Sequence, residues 1–220
     1  NLLADKKLLV IDEAQSIDDI GRILKLMVDE IDGLKIIITG SSAIDISNRT
    51  GEPLTGRKKT FHLYPLSEYE LRSIESPIEH KSNLENRLVY GNYPELLHIG
   101  NAEEKVEYLK EILNSYLLKD ILILDNIRNS DKIFNLLRLI AFQVGNEVSY
   151  QELGRQLSMS KNTVERYLDL LSKVFVLHKL SGISRNLRKE ITKTSKWYFY
   201  DNGLRKILAA NMNPIKLRND

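Results

Sequence analysis

The 220 residues carry 32 Lys/Arg against 30 Asp/Glu, no cysteine, and 42% hydrophobic residues. This is the balance of an ordinary soluble globular chain, long enough for one large domain or two small ones. It excludes a disulfide framework and a thiolate metal site, and no apolar run approaches the roughly 18 residues a spanning helix needs. The N-terminus lacks a signal-peptide pattern, and with no cysteine a cytoplasmic setting without membrane contact is the expected default. The net charge of +2 conceals an asymmetry, because residues 151–220 hold 14 Lys/Arg against 6 Asp/Glu while residues 1–150 hold 18 against 24. An acidic front and a basic back suggest two functional parts, the second suited to a polyanion. The chain starts with Asn1 shortly before a buried strand and reads as a segment of something longer.

Leu8-Leu9-Val10-Ile11 runs without alternation into Asp12-Glu13. Such a run fits a strand covered on both faces of a parallel sheet, where chemistry gathers beyond the carboxyl ends of the strands. The same pattern also suits a buried strand ending in a solvated acidic turn. Ser16 with Asp18-Asp19 forms a helix start. Ile17, Ile20, Leu24, Met27, Val28 and Ile31 follow at helical spacing, and Asp32-Gly33 closes the helix. Lys35–Thr39 is a second apolar strand, so strand, helix, strand predicts a right-handed βαβ unit with parallel strands. The first strand resembles the Walker B element of P-loop NTPases. That likeness gives Mg²⁺ to Asp12 and the attacking water to Glu13. The strand beside Walker B in such ATPases ends in a polar residue near the γ-phosphate. Thr39, Ser41 and Ser42 each suit that role; Ser41 is assigned to the water, Thr39 and Ser42 to the nucleotide.

Residues 48–59 form a Gly/Pro-bearing loop. Gly51 and Gly56 have phosphate-loop spacing, but Arg57-Lys58 replaces Lys-Ser/Thr and no strand leads in, so the loop cannot cradle phosphates. Leu54-Thr55-Gly56-Arg57, Tyr64-Pro65-Leu66-Ser67 and Gly91-Asn92-Tyr93-Pro94-Glu95 resemble elements of the AAA-like P-loop ATPases of bacteria and archaea that carry an uncharacterised C-terminal region. The likeness covers nearly the whole chain, without a Walker A loop or the nuclease-like fold that ends many members. It implies ATP and Mg²⁺ in the full-length protein and makes Arg57 a candidate for stabilising phosphoryl charge. The segment by itself is expected to be inactive.

Residues 67–128 read as helical, with Val106, Leu109, Ile112, Leu113, Tyr116, Leu117 and Ile121 marking one long helix. From Lys132 the pattern becomes three helices and a β-ribbon. Ile133, Leu136, Leu137, Ile140 and Val144 mark the first helix. Ser149 opens a short second that ends near Met159, and Ser160 caps a third carrying Val164, Tyr167, Leu168, Leu171 and Val174 inward. Strands at Phe175–Leu180 and Lys196–Tyr200 flank a basic segment, which predicts a winged helix. Its third helix offers Lys161, Asn162 and Arg166 beside Glu165 and Asp169. The wing offers Arg185, Arg188, Lys189 and Lys193, the stronger electrostatic footprint.

The expected fold class is therefore α/β followed by an all-α lid and a winged helix. Its parts are a partial P-loop core over 1–68, a lid over 69–128, a winged helix over 129–205, and the start of a further region over 206–220. The expected function is Mg-ATP hydrolysis with DNA or partner binding. The alternative is a DNA-binding or protein-docking module on an inactive scaffold. The sequence fixes no oligomeric state.

Overall fold

The structure is a computed structural model, which describes residues 7–40, 56–117, 130–182 and 195–215. The chain divides into two compact units, Asn1–His62 and Leu63–Asp220.

In the first unit, strands β1 (Leu8–Ile11) and β2 (Lys35–Ile38) pair in parallel, with Leu8 opposite Lys35 and Ile11 opposite Ile38. Helix α1 (Ile20–Glu30) makes the crossover, as parallel strands require. Ile20 and Leu24 pack with Ala14 on Ile11, Ile36 and Ile38. The helix does not start from Ser16. Ala14–Ser16 forms a 3₁₀ turn, and Asp19 in a left-handed conformation stands at the helix cap without a side-chain bond. The expectation of a strand buried on both faces is also corrected. Among the described residues α1 covers one face, while Val10 and Ile37, opposite each other in register, are 58% and 52% exposed. One helix on a two-stranded sheet shields one face only.

The second unit begins with helices α2 (Glu68–Arg72) and α3 (Pro77–Tyr90). Each is opened by a capping box, Ser67 with Glu70 and Ser76 with Glu79, which satisfies end N–H groups reciprocally. A 3₁₀ turn at Pro94–Leu97 leads to α4 (Ala102–Glu111), capped by Asn101. The long helix expected here keeps α geometry to Glu111 and widens to π-type turns over Ile112–Leu117. Its expected continuation to Ile121 lies outside the described residues.

Helices α5 (Ser130–Phe142), α6 (Tyr150–Leu157) and α7 (Lys161–Lys173) precede the antiparallel strands β3 (Leu177–Leu180) and β4 (Lys196–Phe199). Ser149 and Ser160 accept the N–H groups of Glu152 and Thr163 at 3.3 and 3.1 Å, so both expected caps form. Helix α8 (Asn202–Leu208) crosses the expected boundary at residues 205 and 206. Its Leu204 and Leu208 share one core with Leu109, Ile133, Leu137, Leu168 and Trp197.

Candidate functional site

The carboxylates of Asp12 and Glu13 stand just past the carboxyl end of β1, exposed to solvent. Thr39 stands at the matching end of β2. Its backbone N–H donates to Ile11 O at 3.0 Å, and its carbonyl accepts from Ala14 N at 3.0 Å. Its hydroxyl donates to Asp12 Oδ1 and accepts the Glu13 N–H at 3.2 Å. Glu13 is left-handed, with φ 51°, a conformation that disfavours a residue with a Cβ. Ala14, fully buried, pins the far side of the turn into the α1 interface.

The Asp12 carboxylate and the Thr39 hydroxyl thus meet at two adjacent parallel strand ends, with Glu13 next in the chain, and oxygen donors of this type suit Mg²⁺. Among the described residues there is no group of three or more His, Cys, Asp or Glu placed to hold a metal. A cation here would be held by one or two carboxylates and by the phosphates it accompanies, as Mg²⁺ commonly is.

Arg57 is engaged elsewhere. Its Nη1 lies 3.3 Å from Asp29 Oδ2 on α1, both groups being about half exposed. Ser41 and Ser42 lie outside the described residues, as do Arg185, Arg188, Lys189 and Lys193. On α7, Lys161, Asn162, Glu165, Arg166 and Asp169 are exposed. Asp169 pairs with Lys173 at 2.6 Å, and the Arg166 guanidinium lies 5.5 Å from the centre of the Tyr167 ring. A shallow hollow of about 330 Å³ between α7 and the hairpin is lined by Tyr150, Asn162, Glu165, Arg166, Lys179 and Trp197. Its charges are mixed, so it is no simple anion cradle.

Two buried polar centres were not anticipated. Arg87, 5% exposed, donates from Nε and Nη2 to Glu68 at 3.0 Å each, and from Nη1 to both Glu75 oxygens at 2.9 and 2.8 Å. His80 Nδ1 sits 3.1 Å from Glu75 Oε2. Hydrogen bonding by Asn83, joined by that of Arg87 and His80 and by the Arg87 charge, holds the Glu75 carboxyl below its ordinary range. The second centre is Asp201, 3% exposed, which caps α8 by accepting from Gly203 N at 2.8 Å and Leu204 N at 3.3 Å. Its other oxygen accepts Asn92 N at 2.7 Å, closing the turn after α3. Burial outweighs these donors and pushes the carboxyl up to about 6. The same burial, with the Asp201 charge nearby, raises the Tyr93 phenol. An aspartate before Asn202-Gly203 signals a cap in sequence; its partnership with Asn92 has no local signal.

Residues 1–72 match the model of an AAA domain, and residues 81–215 match that of a domain of unknown function, DUF8612. Among curated proteins the chain is similar to an uncharacterized protein of Haemophilus influenzae, 26% identical over 92% of this chain and 52% of that protein. It is also similar to one of Methanocaldococcus jannaschii, 26% identical over 90% of this chain and 48% of the relative. A third, from Mycobacterium tuberculosis, is 27% identical over 90% and 43%. The chain thus spans about half the length of the curated relatives it matches. No solved structure matches. No helix among the described residues is long and apolar enough to cross a membrane. With more than half its residues under one model, the chain belongs to the DUF8612 family, and an AAA-like, P-loop-type region precedes that part.

Proposed function

We propose that the first unit is the metal-and-water side of an ATP-hydrolysing P-loop site. Asp12 holds Mg²⁺, Glu13 orients and deprotonates the attacking water, and a phosphate-binding loop completes the site in the longer polypeptide. The observation that carries this reading is the meeting of Asp12, Glu13 and Thr39 at adjacent parallel strand ends. The similarity of residues 1–72 to an AAA domain supports it. Mg²⁺ held by Asp12 would supply neutralisation of the charge that develops in phosphoryl transfer. The protein's own part is to hold the two carboxylates in fixed relation. Ser41 and Ser42 belong to the proposed site as hydroxyls near water and nucleotide. Arg57 belongs to it only by leaving Asp29.

The test uses a polypeptide that carries this segment together with its phosphate-binding loop. Glu13→Gln keeps the shape of the side chain and loses the charge that activates water, so turnover falls at least about 100-fold while ATP binding stays near parental. Asp12→Asn instead weakens Mg²⁺-dependent binding. Parental turnover in the Glu13→Gln variant overturns the assignment.

We further propose that residues 129–205 are a winged helix contacting double-stranded DNA mainly through phosphates, behind a helical lid over 69–128. The order α5, α6, α7, β3, β4 and the antiparallel pairing of the strands support the fold. The basic excess of residues 151–220 supports the ligand. The mixed charge on α7 favours the second reading, a protein partner docked on that face.

A further inference from the structure

We infer that Thr39 is the positioning residue of this site: its hydroxyl fixes Asp12 and the Glu13 turn for a divalent cation without touching the nucleotide. The inference rests on the reading of Asp12 and Glu13 given above. A threonine hydroxyl has one proton and two lone pairs. The proton goes to Asp12 Oδ1, and one lone pair takes the Glu13 N–H. With the backbone bonds to Ile11 and Ala14, this single residue of β2 grips four consecutive residues at the end of β1.

Two consequences follow. The left-handed backbone at Glu13 persists because its surroundings over-determine it. The Thr39 hydroxyl is part of those surroundings, since it is the acceptor of the Glu13 N–H. The same hydroxyl cannot donate to a phosphate oxygen or a water without first releasing Asp12. The strand-end residue therefore acts through the carboxylate, and Asp12 Oδ2, which has no partner among the described residues, is the oxygen presented to a cation.

Two variants separate this role from a structural one. Thr39→Val preserves shape and removes the hydroxyl, while Thr39→Ser keeps the hydroxyl. In the 220-residue chain, amide hydrogen exchange at Glu13 accelerates about tenfold in Thr39→Val, the effect of losing one hydrogen bond. It returns to the parental rate in Thr39→Ser, and the Ile36–Ile38 amides are unchanged in both. In the polypeptide with its phosphate-binding loop, Mn²⁺ is the probe. Thr39→Val raises the Mn²⁺ concentration for half-maximal nucleotide binding about tenfold and leaves ATP affinity in EDTA unchanged, and Thr39→Ser restores it. Parental exchange at Glu13 in Thr39→Val overturns the inference. So does a variant with parental Mn²⁺ affinity and slowed turnover, which marks direct contact with phosphate or water. If the parent binds no Mn²⁺-nucleotide while exchange responds as described, the nucleotide reading falls, and the metal half of this inference falls with it.

Discussion

Replacing Gly91 by alanine gives a sharp test of the joint between α3 and α8. Gly91 adopts φ 85° and ψ −169°, a region open essentially to glycine alone. A methyl group there would stand 2.0 Å from Asp201 Oδ1 and 2.4 Å from Oδ2. The carboxylate cannot step aside cheaply, because three backbone N–H groups hold it in a buried site. The backbone conformation costs about 1–3 kcal/mol. Displacing the carboxylate strips buried N–H groups of their acceptor at about 1–3 kcal/mol each. Taking the low end for the backbone and for each of the three N–H groups, the predicted loss is about 4 kcal/mol. For a unit the size of residues 63–220, that lowers Tm by about 8–16 °C. Urea unfolding followed by circular dichroism measures it. Gly100→Ala is the control, since its methyl would meet nothing within 4 Å, and its change should stay within about 0.5 kcal/mol. Pairing Gly91→Ala with Asp201→Ala should be less damaging than the sum of the two, because the clash and its victim are removed together. A Gly91→Ala protein within about 1 kcal/mol of the parent would refute the reasoning.

Asp201 titrates up to about 6 in the folded chain, against about 3.9 for an unperturbed aspartate. The folded state therefore binds this proton more tightly. The contribution to stability is full below about pH 4 and is lost as pH rises through 6, amounting to about 3 kcal/mol. Unfolding free energies between those limits should lose this slope in Asp201→Asn, and an unchanged slope would assign it to another group. For the basic segment, changing Arg185, Arg188 and Lys189 together to alanine should flatten the salt dependence of duplex binding by up to about three units, similarly on unrelated duplexes. Parental binding showing no duplex affinity at low salt would remove DNA as the partner.

The elements whose signals are local were legible in the sequence. The βαβ unit declared itself through two continuous apolar runs and a periodic helix between them, and Ser149 and Ser160 announced the helices they cap. The carboxylates at the strand tip were legible for the same reason, as was Thr39, although its tie to Asp12 was not. Features built from distant charges were not legible. Arg87, Glu68 and Glu75 each look like solvated surface charges, and only the α2–α3 turn brings the two carboxylates onto the buried Arg87 guanidinium. Periodicity also could not say that Val10 and Ile37 stand exposed on one face of the β1–β2 pair, because a continuous apolar run reads alike whether one face or both are covered. Arg57 shows what a motif leaves unsaid: its position suggests phosphoryl charge, and its pairing with Asp29 has no signal in the sequence.

The bond from Asn92 to Asp201 joins residues 109 apart in sequence, which bears on how the second unit is made. Closing a loop of that length costs about 4 kcal/mol of chain entropy, set against contacts that form only once both ends are present. On the ribosome, the peptide carrying Asp201 follows Asn92 by about 5–20 s at ordinary elongation rates. Through that interval the turn after α3 lacks its acceptor, and Tyr90, Leu109 and Ile133 lack the cover that α8 gives the shared core. Closure of this turn therefore waits on the synthesis of Asp201. A polypeptide halted before Asp201 would lack both the acceptor of the Asn92 N–H and helix α8, leaving apolar core residues uncovered for chaperones and proteases to engage.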